Sequence, residues 1–232
     1  MVGTNQNAKA RWLVFADGEA LADAVASLIR RELMHAVQQR GEFHLVLPGG
    51  TSPRKLLLRL RELQLPWQAT HLYLTDERCL PTGHEQRNDR MLDELLLPHV
   101  ALPASNIHRI PAELGPEAGA KEFLLVLQDA PRFDLVILGM GEDGHTASLF
   151  PASQQLDDDS PVVAVFDAPK PPSERISMGL CRLLSARERI VIATGESKSE
   201  TIQLIQQGLE FPVTLAKPSS WYLDLAAANK KM

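Results

Sequence analysis

The chain reads as an α/β protein, a mostly parallel sheet covered by helices on both faces. Two observations carry this. Short apolar runs of strand length alternate with segments whose apolar residues recur at helical spacing, the pattern of repeated strand–helix units. The runs ending at Leu47, Leu74, Leu138 and Ala193 also stop abruptly in glycine or small polar residues. Strands of a parallel sheet end that way where they run out into ligand-binding loops. A length of 232 residues with 44% hydrophobic and 23% charged residues is ordinary for a globular protein, and residues 1–232 read as a single domain.

Each element has a local reason. Arg11–Phe15 is a strand. Asp17 and Gly18 open a long helix with Leu21, Val25, Leu28 and Ile29 on one face, and Gly41 is its stop. Phe43–Leu47 is a second strand, followed by the turn Pro48-Gly-Gly-Thr-Ser-Pro53. A helix from Pro53 to about Leu63 carries Leu56, Leu57 and Leu60, with proline in its first turn. Leu72–Leu74 is a third strand, ending in Thr75-Asp-Glu-Arg78. After a polar loop from Pro81 to Arg87 comes a helix near Asn88–Leu97. Residues 98–112 hold three prolines and predict a winding connection with a short strand around Ile107–Ile110. Glu117–Gln128 is helical, with Phe123, Val126 and Leu127 as its expected core face, and Leu135–Leu138 is a buried strand. Val162–Phe166 and Ile176–Met178 are short strands around a proline-rich loop, Ala168–Glu174. Leu180–Glu188 reads as a helix and Arg189–Gly195 as a strand ending in glycine. Ser197 is expected to cap a helix to about Gln207, and Trp221–Leu225 to form the last strand.

Composition narrows the function classes. A net charge of −5 argues against a nucleic-acid partner while leaving room for a local basic pocket. Cys79 and Cys181 are too few and too far apart for a disulfide framework, and they fit a reducing cytoplasm. The polar start, Met1 to Lys9, lacks the apolar core of a signal peptide. No apolar run approaches the ~20 residues that span a membrane. The expectation is a cytoplasmic protein with a small-molecule partner and neither nucleic acid nor membrane.

Four strand-end clusters bear the chemistry. In Gly139-Met-Gly-Glu-Asp-Gly-His145, a histidine sits on a glycine-rich strand end two residues after Asp143. That is the pattern of a general base with an orienting carboxylate, although an isolated Asp-Gly-His equally describes a tight turn with a surface histidine. Gly50, Thr51 and Ser52 lie between a strand and a helix N-terminus, where backbone N–H groups and small hydroxyls suit a phosphate. Many such turns bind nothing, and this one lacks the lysine of a nucleotide P-loop. Asp76 and Arg78 follow a buried strand and either face a site or form a solvated charge run. Lys198 is expected in the first turn of a helix, where the macrodipole favours an anion, so a cation there points to an anionic ligand. Taken singly, Lys198 and Arg175 also read as ordinary surface cations. The seven histidines show no metal-binding motif and no serine elbow is present, so no metal or cofactor is expected. The residues alone reach a metal-free enzyme that uses His145 on a phosphorylated polar metabolite.

Pro48-Gly-Gly-Thr-Ser-Pro53, Leu74-Thr-Asp-Glu-Arg78 with Asn88, Gly139 to Pro151, and Thr194-Gly-Glu-Ser-Lys198 together closely resemble the 6-phosphogluconolactonases. The match runs along nearly the whole chain. These proteins belong to a wider group with glucosamine-6-phosphate deaminases and ribose-5-phosphate isomerases. The resemblance implies a Rossmann-like fold and hydrolysis of 6-phospho-D-glucono-1,5-lactone to 6-phosphogluconate. It implies that His145 is the base and Asp143 its orienter. It places Asp76 and Arg78 at the sugar end, and gives the phosphate to Gly50, Thr51 and Ser52 with Arg175 and Lys198. Strand-end N–H groups around Gly141 and Gly144, or a nearby cation, would stabilise the oxyanion. Two rivals stand beside it: a sugar-phosphate isomerase or deaminase, and a non-catalytic sugar-phosphate-binding regulator. The deaminases carry a glutamate five residues after the histidine, where this chain has Phe150. Many related lactonases have serine at the position of Arg87, which here contacts ligand or points to solvent.

Overall fold

The computed structural model describes residues 10–228. The polar start at residues 1–9, on which the signal-peptide reading rests, lies outside them. Seven strands form a wholly parallel sheet. They are β1 (Arg11–Phe15), β2 (Phe43–Leu47), β3 (Thr70–Leu74), β5 (Ile107–His108), β6 (Leu135–Gly139), β9 (Glu188–Ala193) and β10 (Ser220–Asp224), in the spatial order β1-β10-β9-β6-β2-β3-β5. All five residues of β2 are buried, as expected of a central strand covered on both faces. The helices are α1 (Gly18–Arg40), α2 (Ser52–Leu60), α3 (Asn88–Leu95), α4 (Pro116–Gln128), α5 (Leu180–Leu184), α6 (Ser199–Gln206), α7 (Pro212–Leu215) and α8 (Leu225–Ala228). Among the described residues no helix is long and apolar enough to cross a membrane.

The caps of α1 follow the sequence. Asp17 accepts the N–H groups of Glu19 and Ala20 at 2.9 Å each, and Gly41 ends the helix at φ +83. A side chain at that φ is strained, so glycine sets the stop.

A second sheet was not expected. Asp76–Arg78 is a strand, β4, which pairs antiparallel with β8 (Arg175–Met178), and β8 pairs with β7 (Val162–Val165). Three charged residues have no apolar period to announce a strand. Other boundaries also differ. The segment expected as one helix over Leu180–Glu188 stops at Leu184, because Glu188 already joins the parallel sheet opposite Leu135. On α4 the core face is Gly119, Phe123 and Leu127, whereas Val126 is 36% exposed. It lies one residue, about 100° of helix, away from Leu127. Residues 196–198 form a 3-10 turn, so α6 starts at Ser199 with Lys198 in the capping position. Ser197 makes no cap. Its hydroxyl instead serves the carboxylate of Glu142.

Candidate active site

The order in which successive strands are added to the parallel sheet reverses between β2 and β6. From β2 the chain continues to β3, and from β6 to β9 on the other side. At such a switch point the loops leaving the two strands diverge and open a crevice beyond their carboxyl ends. A cleft of about 310 Å³ lies there. It is lined by Gly50, Thr51 and Ser52 after β2, by Asp76 and Arg78 of the small sheet, and by His145 after β6. Arg175 and Lys198 also line it. All four strand-end clusters thus meet in one place.

The turn after β6 sets the histidine. His145 Nδ1 lies 2.5 Å from Asp143 Oδ1, and the same oxygen accepts the His145 backbone N–H at 3.2 Å. Asp143 does not line the cleft itself and touches it only through the ring of His145. Burial raises the Asp143 pKa, but the hydrogen bond and charge of His145 outweigh it and hold the carboxyl at about 2. An ionised Asp143 keeps the proton on Nδ1 and leaves Nε2 as the basic nitrogen. Gly141 makes the pairing possible. A Cβ there would lie 2.0 Å from His145 Nδ1 and 2.5 Å from Asp143 Oδ1. The ring also packs on Phe150, centroids 4.6 Å apart. The Gly141 N–H donates to His145 O at 2.9 Å and the Gly144 N–H to Gly141 O at 3.2 Å. Those two donors are therefore consumed by the turn, which corrects their expected place in an oxyanion hole.

Asp76 is buried and held on both oxygens, by Thr75 Oγ1 at 2.9 Å and Ser148 Oγ at 2.7 Å. Arg78 donates to Gln86 O at 2.6 Å, and its buried Nε has no hydrogen-bond partner. Arg87 meets neither of its two expectations. It is buried away from the cleft, bound to both oxygens of Asp89, to Glu113, and to the carbonyls of Leu80 and Ile110. These carboxylates raise its pKa against the lowering effect of burial. Arg87 thus ties the loop before α3 to the turn before α4.

The cations fall into two groups. Arg175, on β8, is buried beside Asp76 and Arg78, with its guanidinium 5.6 Å from the Phe150 ring centroid. It donates to Pro172 O and Lys170 O, fixing the proline-rich loop, and burial lowers its pKa. Lys198 is half-buried near Lys170, Glu142 and Asp143. Burial and Lys170 lower its pKa, while the two carboxylates oppose this. Ser52 Oγ meets Thr194 Oγ1 at 2.9 Å, which joins the turn after β2 to the segment leading to Lys198.

Sequence reasoning missed Lys170, a cleft residue on a loop read only as proline-rich, and Ser148, the partner of Asp76. Neither has a local signal, because each is recruited by residues distant in the chain.

Fold and cleft together define an α/β protein with a ligand crevice at the switch point, a carboxylate-oriented histidine and a cationic rim. Residues 16–224 match the family described as glucosamine-6-phosphate isomerases/6-phosphogluconolactonase, and the chain belongs to that family. It is 33% identical to a 6-phosphogluconolactonase of Haemophilus influenzae, covering 94% of this chain and 98% of that one. It is 36% identical to the GDH/6PGL endoplasmic bifunctional protein of Homo sapiens over 93% of this chain, and there it spans only 30% of the relative's length. The crystal structure of 6-phosphogluconolactonase from Thermotoga maritima superposes with a TM-score of 0.86 at 25% identity, covering 93% of this chain and 100% of that one.

Proposed function

We propose that the protein hydrolyses 6-phospho-D-glucono-1,5-lactone to 6-phosphogluconate, the lactone step of the oxidative pentose phosphate pathway, as one domain in the cytoplasm. The observation that carries this is the 2.5 Å His145–Asp143 pair in a cleft rimmed by arginine and lysine. Gly50, Thr51 and Ser52 hold the phosphate with Lys198, and Arg175 reaches it from the other wall. Asp76 and Arg78 line the sugar end. With the remote phosphate anchored, C1 is placed against His145 and a water.

His145 Nε2 takes a proton from that water as its oxygen bonds to C1. The carbonyl electrons move to the exocyclic oxygen. As they return, the bond from C1 to the ring oxygen breaks, and the ring oxygen receives the proton from His145. The developing oxyanion faces the cleft's cations, since the Gly141 and Gly144 N–H groups are engaged in their turn. A lactone is an activated ester, so a positioned water and one base suffice without metal or cofactor. The deaminase alternative lacks an acid, because Phe150 stands where the glutamate would be and packs on His145.

The test is turnover of freshly generated 6-phosphogluconolactone, measured against spontaneous hydrolysis and repeated after exhaustive chelation. The expected result is fast hydrolysis that survives chelation. Binding without turnover would favour the regulator. Activity lost on chelation and restored by zinc or magnesium would overturn the metal-free mechanism.

A further inference from the structure

At the opposite end of the sheet, a group of side chains takes no part in this chemistry. His44 and His71 are the second residues of β2 and β3 and sit in register on adjacent parallel strands. Each lies about 13 Å of strand from the loops of the cleft. Their rings stack with centroids 4.5 Å apart, and Glu42 closes the group from the chain just before β2. One carboxylate oxygen of Glu42 lies 3.2 Å from His44 Nε2, and the other lies 3.9 Å from His71 Nε2. The ligand atoms of the three residues all fall within 4.8 Å of one another.

Two further observations separate this from an ordinary histidine stack. His44 is 97% buried, and its Nε2 has Glu42 Oε1 at 3.2 Å but too poorly aligned for a regular hydrogen bond, although a buried polar atom normally has a well-formed one. The other nitrogen of each ring is also held. His44 Nδ1 lies 3.0 Å from the Tyr73 hydroxyl, and His71 Nδ1 lies 3.0 Å from His108 Nε2. When both Nδ1 atoms donate, both Nε2 lone pairs point away from these partners. Orientation of ligating imidazoles through their second nitrogen is the usual support of a metal site.

We propose that Glu42, His44 and His71 form a binding site for a zinc-class divalent cation, with water as the fourth ligand. Two imidazoles and a carboxylate suit zinc, and its ligand atoms, at roughly 2.0–2.1 Å from the ion, stand about 3.3 Å apart in a tetrahedron. The Glu42–His44 distance already meets that spacing. Closing the rest takes up to about 1.5 Å of side-chain movement by Glu42, which is exposed, and by the partly exposed His71, whose ring must also turn out of its 12° stack on His44. The sequence shows no ligand motif because the two histidines are 27 residues apart and meet only through strand register.

The test uses the full chain, stripped of metal and titrated with Zn²⁺ against a chromophoric chelator, with native mass spectrometry for stoichiometry. One equivalent is expected to bind, and Co²⁺ in its place is expected to show the visible bands of a low-coordinate nitrogen and oxygen site. His71→Ala and Glu42→Gln, at positions whose side chains reach solvent, are each expected to raise Kd by about 100-fold or more, with circular dichroism and lactone turnover retained. Tyr73→Phe acts on ligand orientation and is expected to raise Kd ~10–100-fold. His145→Ala is expected to leave zinc binding unchanged. Absence of saturable Zn²⁺ binding, binding that survives both His71→Ala and Glu42→Gln, or binding lost in His145→Ala overturns the proposal.

Discussion

At the scale of single residues, the site depends on one short turn. His145 and Asp143 are two positions apart, so their pairing was legible in the sequence, and the structure adds why Gly141 must precede them. His145→Ala is expected to lower kcat by ~10²–10⁴-fold, the usual cost of losing a general base, without loss of fold. A purified, folded variant with near-normal kcat would remove His145 from the mechanism. Lys198→Met keeps most of the side chain and deletes the charge. A charge-assisted hydrogen bond contributes roughly 1.5–3 kcal/mol, so kcat/KM on the phosphorylated lactone should fall by about one to two orders of magnitude. Unphosphorylated gluconolactone should be nearly unaffected. An equal loss on both substrates would give Lys198 a role in folding or chemistry instead of phosphate binding. Asp76, by contrast, was legible only as a carboxylate at a strand end. Its Ser148 partner is 72 residues away, and no spacing rule predicts such a contact.

At the scale of elements, α3 shows how a buried acid can stand in for a cap. The capping position, Arg87, makes no side-chain cap. Glu77 of β4 instead accepts the N–H of Asn88 at 2.7 Å and of Asp89 at 2.8 Å, as well as that of Arg78 at 2.8 Å. Burial drives its pKa upward, against the opposing pull of these N–H donors, to about 7. The folded state thus holds a proton on Glu77 at pH values where the unfolded chain has released it. Between the ordinary value of 4.5 and about 7, this group makes stability fall as pH rises. Glu77→Gln should flatten that segment of the stability profile in denaturant titrations. It should also cost about 1–3 kcal/mol, because one N–H then faces an amide NH₂. An unchanged pH profile would mean that Glu77 does not titrate there. The helix and the small sheet hid this from the sequence for different reasons. A three-residue strand has no period, and Arg87 looked available for ligand because its partners, Asp89, Glu113 and the Ile110 carbonyl, come from elements whose approach only the fold reveals.

At the scale of the molecule, the parallel sheet was legible because each strand–helix unit announces itself locally, whereas the strand order was not. That order decides the site. It places the turn after β2 against the turn after β6, so a ligand in the cleft bridges both halves of the sheet and the small antiparallel sheet beside them. A ligand with such contacts binds the folded state alone and stabilises it by mass action. At 100 times its Kd, 6-phosphogluconate, the product of the proposed reaction, should add about 2.7 kcal/mol. For a chain of this size that raises Tm by roughly 5–10 °C, at about 2–4 °C per kcal/mol. If Lys198→Met weakens binding 10- to 100-fold, the same concentration should yield only about 0.4–1.4 kcal/mol. His71→Ala, at the far end of the strands, should keep the full shift. Differential scanning calorimetry on the three proteins, with gluconate as the unphosphorylated control, reads all of these at once. An equal shift from gluconate would remove the phosphate from the recognition scheme. A shift lost in His71→Ala would mean that the two ends of the sheet are coupled and that the cleft is not an independent site.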